Sequence, residues 1–175
     1  MRRALWFTLA LAAILGATPS FSAVPGDLAP LTFLLGEWGG VGTGSPGDAG
    51  GRAVFSTSLQ DRVILRTSFA EYPASKDKPA SRHDDLMVIY SVPSGGMHAD
   101  YFDNEGHVIR YDVAVPEAGA AIFISETTAG EPRFRLTYHL GTDGVLKGGF
   151  AIAPPGQSDA FKDYLTWESH KVKAE

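Results

Sequence analysis

The sequence predicts an all-β protein: a single antiparallel up-and-down β-barrel of about ten strands with a short N-terminal helical turn. Three observations carry this expectation. Short runs rich in β-branched and aromatic residues recur along the chain, separated by hairpin-sized clusters of Gly, Pro, Asn and Asp. No segment shows a sustained helical period, so the dozen-residue crossovers that parallel strands need are missing from the pattern. Finally, Gly36-Glu37-Trp38-Gly39-Gly40-Val41-Gly42-Thr43-Gly44, taken as a strand, puts Trp38, Gly40, Gly42 and Gly44 on one face. A sheet of this size closes more readily than it stays open, because closure removes exposed edges.

Residues 1–22 read as a cleavable signal peptide, with Arg2 and Arg3 at the start, an apolar core from Ala4 to about Ala17, and the small-residue region Pro19-Ser20-Phe21-Ser22-Ala23. Cleavage after Ser22 is favoured, because cleavage after Ala23 puts the bulky Phe21 at the third position back. The core is shorter than the roughly 20 apolar residues of a membrane-spanning helix. A periplasmic or secreted location is therefore expected, with no membrane insertion after cleavage. Residues 23–30 form a tether and 31–175 a barrel domain. Within that domain Leu31-Thr32-Phe33-Leu34-Leu35 reads as one helical turn capping the barrel and ended by Gly36.

Candidate strands follow near Glu37 to Thr43, Ala53 to Leu59, Val63 to Tyr72, Asp85 to Ser91, Met97 to Phe102, Val108 to Val115, Ala120 to Glu126, Arg133 to His139, Leu146 to Ala153 and Phe161 to Lys171. Alternation is clearest in the eighth, where Phe134, Leu136 and Tyr138 oppose Arg133, Arg135, Thr137 and His139. In the last, Leu165 and Trp167 oppose Tyr164, Thr166, Glu168 and His170. Ser45 to Gly51 and Pro73 to His83 read as longer rim loops, the second a candidate lid or a tolerated insertion. In the first strand Trp38 is expected to plug one end of the barrel. Its glycines either leave room inside or let another backbone come close.

Composition excludes several functions. There is no cysteine, hence no disulfide, thiol nucleophile, thiolate metal site or lipid-modified N-terminal cysteine. Without Arg2 and Arg3 the 15 basic residues fall to 13 against 20 acidic ones, and the formal charge moves from −5 to −7. Such an acidic barrel is not expected to bind nucleic acid or anionic membrane surfaces.

Motifs of catalysis are weak. Gly42-Thr43-Gly44-Ser45-Pro46-Gly47 fits a dinucleotide fingerprint by letter, but no helix can start at Pro46-Gly47 to receive a phosphate. No G-x-S-x-G elbow occurs. His83 with Asp85, and His98 with Asp100, have same-face spacing for metal ligation, but each pair lies beside a turn where polar residues are simply solvated, and no third ligand follows. Glu71, Asp112 and Glu126 are carboxylates at strand ends, read as solvent-facing. No catalytic and no metal residue is assigned, and no cofactor is required. The aromatics are spread over most strands, so some must line the interior as core or as a cavity wall. The candidate ligand-binding residues are Trp38, Phe55, Tyr90, Arg110, Tyr111, Tyr138 and Trp167, with Arg110, set in an apolar strand, able to meet a carboxylate or phosphate head group.

Phe33-Leu34-Leu35-Gly36-Glu37-Trp38-Gly39-Gly40-Val41-Gly42 resembles the Gly-x-Trp start of calycins, the lipocalin and fatty-acid-binding superfamily. With glycines alternating after the Trp, it looks most like nitrobindin-type barrels and related small secreted bacterial families. The likeness spans Leu31 to Val172 in architecture and is closest over Phe33 to Gly42. It implies a barrel with an internal cavity. In lipocalins an Arg of the last strand also packs over the Trp, whereas Phe161 to Lys171 contains no Arg. Nitrobindins bind haem through a late histidine; the late histidines here are His139 and His170. The expected function is thus an exported barrel holding a small apolar or amphipathic ligand without catalysis. The alternatives are a haem protein acting on nitric oxide or peroxynitrite, and an interaction module with a filled core.

Overall fold

The computed structural model describes residues 27–45, 47–157 and 159–173, and the predicted signal peptide lies outside them. Ten strands close into one antiparallel barrel: β1 (Gly36–Gly44), β2 (Ala49–Ser58), β3 (Val63–Tyr72), β4 (Ser81–Ser91), β5 (Met97–Asp103), β6 (Val108–Ala114), β7 (Ala120–Ser125), β8 (Arg133–Leu140), β9 (Leu146–Ala153) and β10 (Lys162–Lys171). Each strand pairs with its neighbours in sequence, and β1 closes the ring on β10. All ten strands predicted from the sequence are present.

Two strands start earlier than the apolar pattern predicts. β2 takes in Ala49-Gly50-Gly51, where Ala49 pairs with Gly42 and Gly51 with Gly40. β4 takes in Ser81 to Asp84, polar residues held by cross-strand bonds: Arg82 to Glu71 of β3 at 2.9 Å, and the Asn104 side chain to the Asp84 N–H and the Arg82 carbonyl, each at 3.2 Å. The predicted rim loops are shorter by those residues.

A 3-10 turn, Ala29–Leu34, closes the end of the barrel where β1 begins. Leu28, Leu31 and Leu34 are fully buried there, and Gly36, at φ 117°, turns the chain from this floor into β1. Trp38 is 3% exposed, and its indole N–H donates to the Leu34 carbonyl at 2.7 Å. Lys171 of β10, paired in register with Trp38, sets its ammonium 5.3 Å from the ring centroid.

Trp38, Gly40, Gly42 and Gly44 do share the inner face, paired with Lys171, Ser169, Trp167 and Leu165. They do not leave room. A Cβ at Gly40 would lie 2.7 Å from Ser169 Cα and closer still to the Glu168 carbonyl oxygen, one at Gly44 2.8 Å from Leu165 Cα, and one at Gly42 3.1 Å from the Thr166 oxygen. These glycines let β1 coil tightly against β10, which is the second of the two expected roles. Gly40→Ala is accordingly expected to cost about 1 to 3 kcal/mol, because backbone must move. Gly50→Ala, whose Cβ meets nothing within 4 Å, is expected to stay within about 0.5 kcal/mol. Urea denaturation of the two variants checks this contrast.

Candidate functional site

In β3 the inward positions are Ile64, Arg66, Ser68 and Ala70, set by pairing to Asp85 and His83 of β4 and onward to Tyr101 and Asp103 of β5. Arg66 is the feature that organises the interior. It is 5% exposed, and its Nη1 donates to the Tyr138 hydroxyl while Nη2 donates to Asp85 Oδ1. Tyr138 stands on β8, five strands from β3 in either direction round the ring. The bond therefore spans the barrel. Around Tyr138 pack Phe55, Phe123 and Trp167, edge-on at 5.6, 6.0 and 5.9 Å between centroids.

This crosspiece divides the interior. The half toward the 3-10 turn is filled by apolar side chains including Trp38, Phe55, Ile64, Met87 and Ile89. Phe55, Tyr111 and Tyr138, expected at a cavity wall, are core residues at mid-height. Side chains therefore occupy the space expected above Trp38 in this half, and only toward the mouth is the interior less tightly covered. There the inward side chains keep part of their surface: Tyr72, His83, Tyr101, Phe134, Phe150, Leu165 and Trp167 are only half-buried.

The mouth has two unlike walls. On β3 to β5 it presents Ser68, His83, Asp85, Tyr101 and Asp103. Ser68 Oγ donates to Asp85 Oδ2 at 2.6 Å. His83 sets Nδ1 3.0 Å from Glu105 Oε1 and Nε2 2.9 Å from the Tyr101 hydroxyl. An ionised carboxylate only accepts, so Nδ1 carries the hydrogen and, in the neutral ring, Nε2 accepts from Tyr101. Asp103 accepts the N–H groups of Glu105 at 3.0 Å and His107 at 2.9 Å, and contacts the His107 ring at 2.8 Å. On β8 to β10 the facing wall is Phe134, Phe150 and Leu165, with Phe134 and Phe150 stacked at 5.7 Å.

Electrostatics follow this layout. Burial works against the Arg66 charge, but Tyr138 and Asp85 more than offset it and hold the guanidinium above its ordinary pKa. Burial, with the nearby Asp85 carboxylate adding to it, raises the Tyr101, Tyr111 and Tyr138 hydroxyls, although Arg66 works the other way. All three are neutral at physiological pH. Burial pushes the Asp103 carboxyl up, and the His107 and Glu105 hydrogen bonds outweigh it and bring the pKa below the ordinary value. Among the described residues Arg66 Nε is a buried side-chain donor with no partner.

Other expectations are corrected by the strand phase. Arg110 is exposed and paired with Asp100 on the outer face of β5 and β6, because Ile109, Tyr111 and Val113 take the inside. Tyr90 lies outside as well, across from His98 at 6.1 Å and 3.4 Å from Asp100. His139 and His170 are both exposed, opposite Lys147 and Gly39 on the outer wall. Neither can reach a group inside the barrel, and the inward-facing His83 has both ring nitrogens engaged, so these residues do not fit a lumenal haem. His83 and Asp85, read as solvated beside a turn, point into the barrel instead, 3.9 Å apart. Arg66 and Tyr101 are functional candidates that the sequence did not single out, whereas His83 and Asp85 enter the sequence reading only as a solvated pair. A groove of about 500 Å³ also lies on the outer wall among Arg52, Val54, Phe69, Arg82, Leu86 and Phe102. Its charges pair with one another or with Glu37 and Glu71.

Among solved structures the chain is similar to the crystal structure of Rv2717c from M. tuberculosis, with a TM-score of 0.58 and 18% sequence identity over 86% of this chain and 99% of that one. At that identity the likeness concerns the fold alone. No protein-family model matches the sequence, and no curated protein matches it either.

Proposed function

We propose that the mouth half of the barrel binds a small amphipathic molecule and that the protein acts as an exported carrier or sensor of it, without catalysis. The observation that supports this reading is the opposition of walls: hydroxyl, imidazole and carboxylate groups on β3 to β5 face Phe134, Phe150 and Leu165 on β8 to β10. A ligand with one polar and one apolar end satisfies both, burying carbon on aromatic surface while a few polar groups fix its orientation. The filled half beneath supplies a rigid base, and the leader read from the sequence supplies export.

Titration with a solvatochromic dialkylaminonaphthyl ketone tests the proposal. Its emission is expected to shift blue and saturate at one probe per chain. Trp167 at the mouth is expected to be quenched in step. Ala70 faces inward beside His83, and Ala70→Phe is expected to weaken binding by about tenfold or more by filling the space. Unsaturable binding, or affinity unchanged in a folded Ala70→Phe variant, would exclude the mouth as the site.

A further inference from the structure

We infer that the polar end of the ligand is an uncharged oxygen acceptor, such as a ketone, aldehyde, ester or alcohol, received by the Arg66 Nε–H, and that the site discriminates against carboxylates and phosphates. This deepens the proposed lumenal binding and rests on it.

An arginine inside a barrel suggests an anion partner at first sight. The charges around this one point elsewhere. Asp85 already occupies Nη2 of Arg66, and the two side chains are almost equally buried at 6% and 7% exposure. The pair is neutral as a unit. Beyond it, on the same wall, stand the Asp103 carboxylate and, at the rim, Glu105 against His83. The His107 ring contacts Asp103 from the exposed side. An entering anion would thus pass Glu105 and meet no uncompensated cation, at a depth where charge is poorly screened.

What the wall lacks is an acceptor. Asp85 is satisfied by Arg66 and Ser68, Asp103 by Glu105 and His107, and the Tyr138 oxygen by Arg66. The Arg66 Nε–H, on the guanidinium whose Nη2 meets Asp85, is left over. A buried donor without a partner is costly, and a neutral oxygen relieves that cost without bringing a second charge into the site. Recognition by one obligatory hydrogen bond rejects a hydrocarbon of the same length, and the surrounding carboxylates reject the acid.

The experiment uses competition by decan-2-one, decanoate and decane against the naphthyl ketone probe near neutral pH, with the Arg66 Nε–H followed by NMR. Decan-2-one is expected to displace the probe at concentrations about tenfold or more below decanoate, and to move the Arg66 Hε resonance downfield, whereas decane leaves that resonance in place. Glu105→Gln, an exposed change that keeps the fold, is expected to narrow the ketone-to-acid preference by several-fold. Asp85→Asn, if it folds, is expected to reverse it. Decanoate binding as well as or better than the ketone overturns the inference while leaving the lumenal site intact. An Arg66 Hε that does not respond to a bound ketone overturns it too. If neither compound displaces the probe and the probe itself does not saturate, the lumenal reading falls instead.

Discussion

Arg66→Met is expected to lower the unfolding free energy by about 3 to 5 kcal/mol, the usual result of removing one member of a buried ion pair. The Asp85 side chain is 7% exposed and would lose its ion-pair partner, leaving Ser68 as its hydrogen-bond donor. Tyr138 would lose the Arg66 donor that ties β8 to β3 across the interior. The loss comes from the stranded partner more than from the worth of the bond, so the double variant Arg66→Met/Asp85→Leu is expected to regain most of the stability or exceed the parent. Guanidinium denaturation of the single and double variants measures both, the slope staying constant if the compactness of the two states is unchanged. A single-variant loss below about 1 kcal/mol would mean that the pair is effectively solvated, as exposed pairs are. In that case the crosspiece would not divide the barrel.

A pair that costs stability to bury, and that apolar residues could replace, calls for another reason to be there. Two features supply one. Arg66 and Asp85 lie at the boundary between the filled half and the mouth half, where the wall changes from Ile64, Met87 and Ile89 to Ser68 and His83. Arg66 also holds back a donor that nothing in the described chain uses. Replacing the pair by Met and Leu is therefore expected to separate the two roles, restoring stability while abolishing the preference for an oxygen-bearing ligand.

The fold was readable because its signals are local: each turn cluster and each β-branched run speaks for its own segment, and in β8 and β10 strict alternation also gave the correct inner face. The site was less readable, for a reason visible in β3 and β4. Val63-Ile64-Leu65-Arg66 and Leu86-Met87-Val88-Ile89-Tyr90 carry apolar residues on both faces, because Leu65, Val88 and Tyr90 cover the outer wall of the barrel. Period-two patterning then has no phase, and neither the inward Arg66 nor the outward Tyr90 can be assigned. Arg110 differs. It shares a face with Asp112, opposite Ile109, Tyr111 and Val113, so the alternation that places it outside is present in the sequence itself. The early starts of β2 and β4 depend on cross-strand partners such as Glu71 and Gly42, which no local pattern reveals.

Trp38→Ala is the second large effect expected, about 3 to 5 kcal/mol, since it deletes a fully packed aromatic and leaves a cavity between the 3-10 turn and β10. The indole touches three supports at once: the Leu34 carbonyl, the Lys171 ammonium and the floor cluster of Leu28, Leu31 and Leu34. They can be separated. Trp38→Phe keeps most of the burial but strands the Leu34 carbonyl, with an expected loss of about 1 to 3 kcal/mol. Lys171→Ala removes a partly exposed cation from the ring face, and about 0.5 to 1 kcal/mol is expected. Thermal or urea unfolding ranks the three variants. The same series decides whether Trp38 is a ligand contact, as its sequence position suggested. With the filled half and the Arg66–Tyr138 crosspiece between it and the mouth, Trp38→Phe is expected to leave probe affinity unchanged in the folded fraction. A loss of affinity on that substitution, at constant fold, would instead place ligand below the crosspiece and make the floor part of the site.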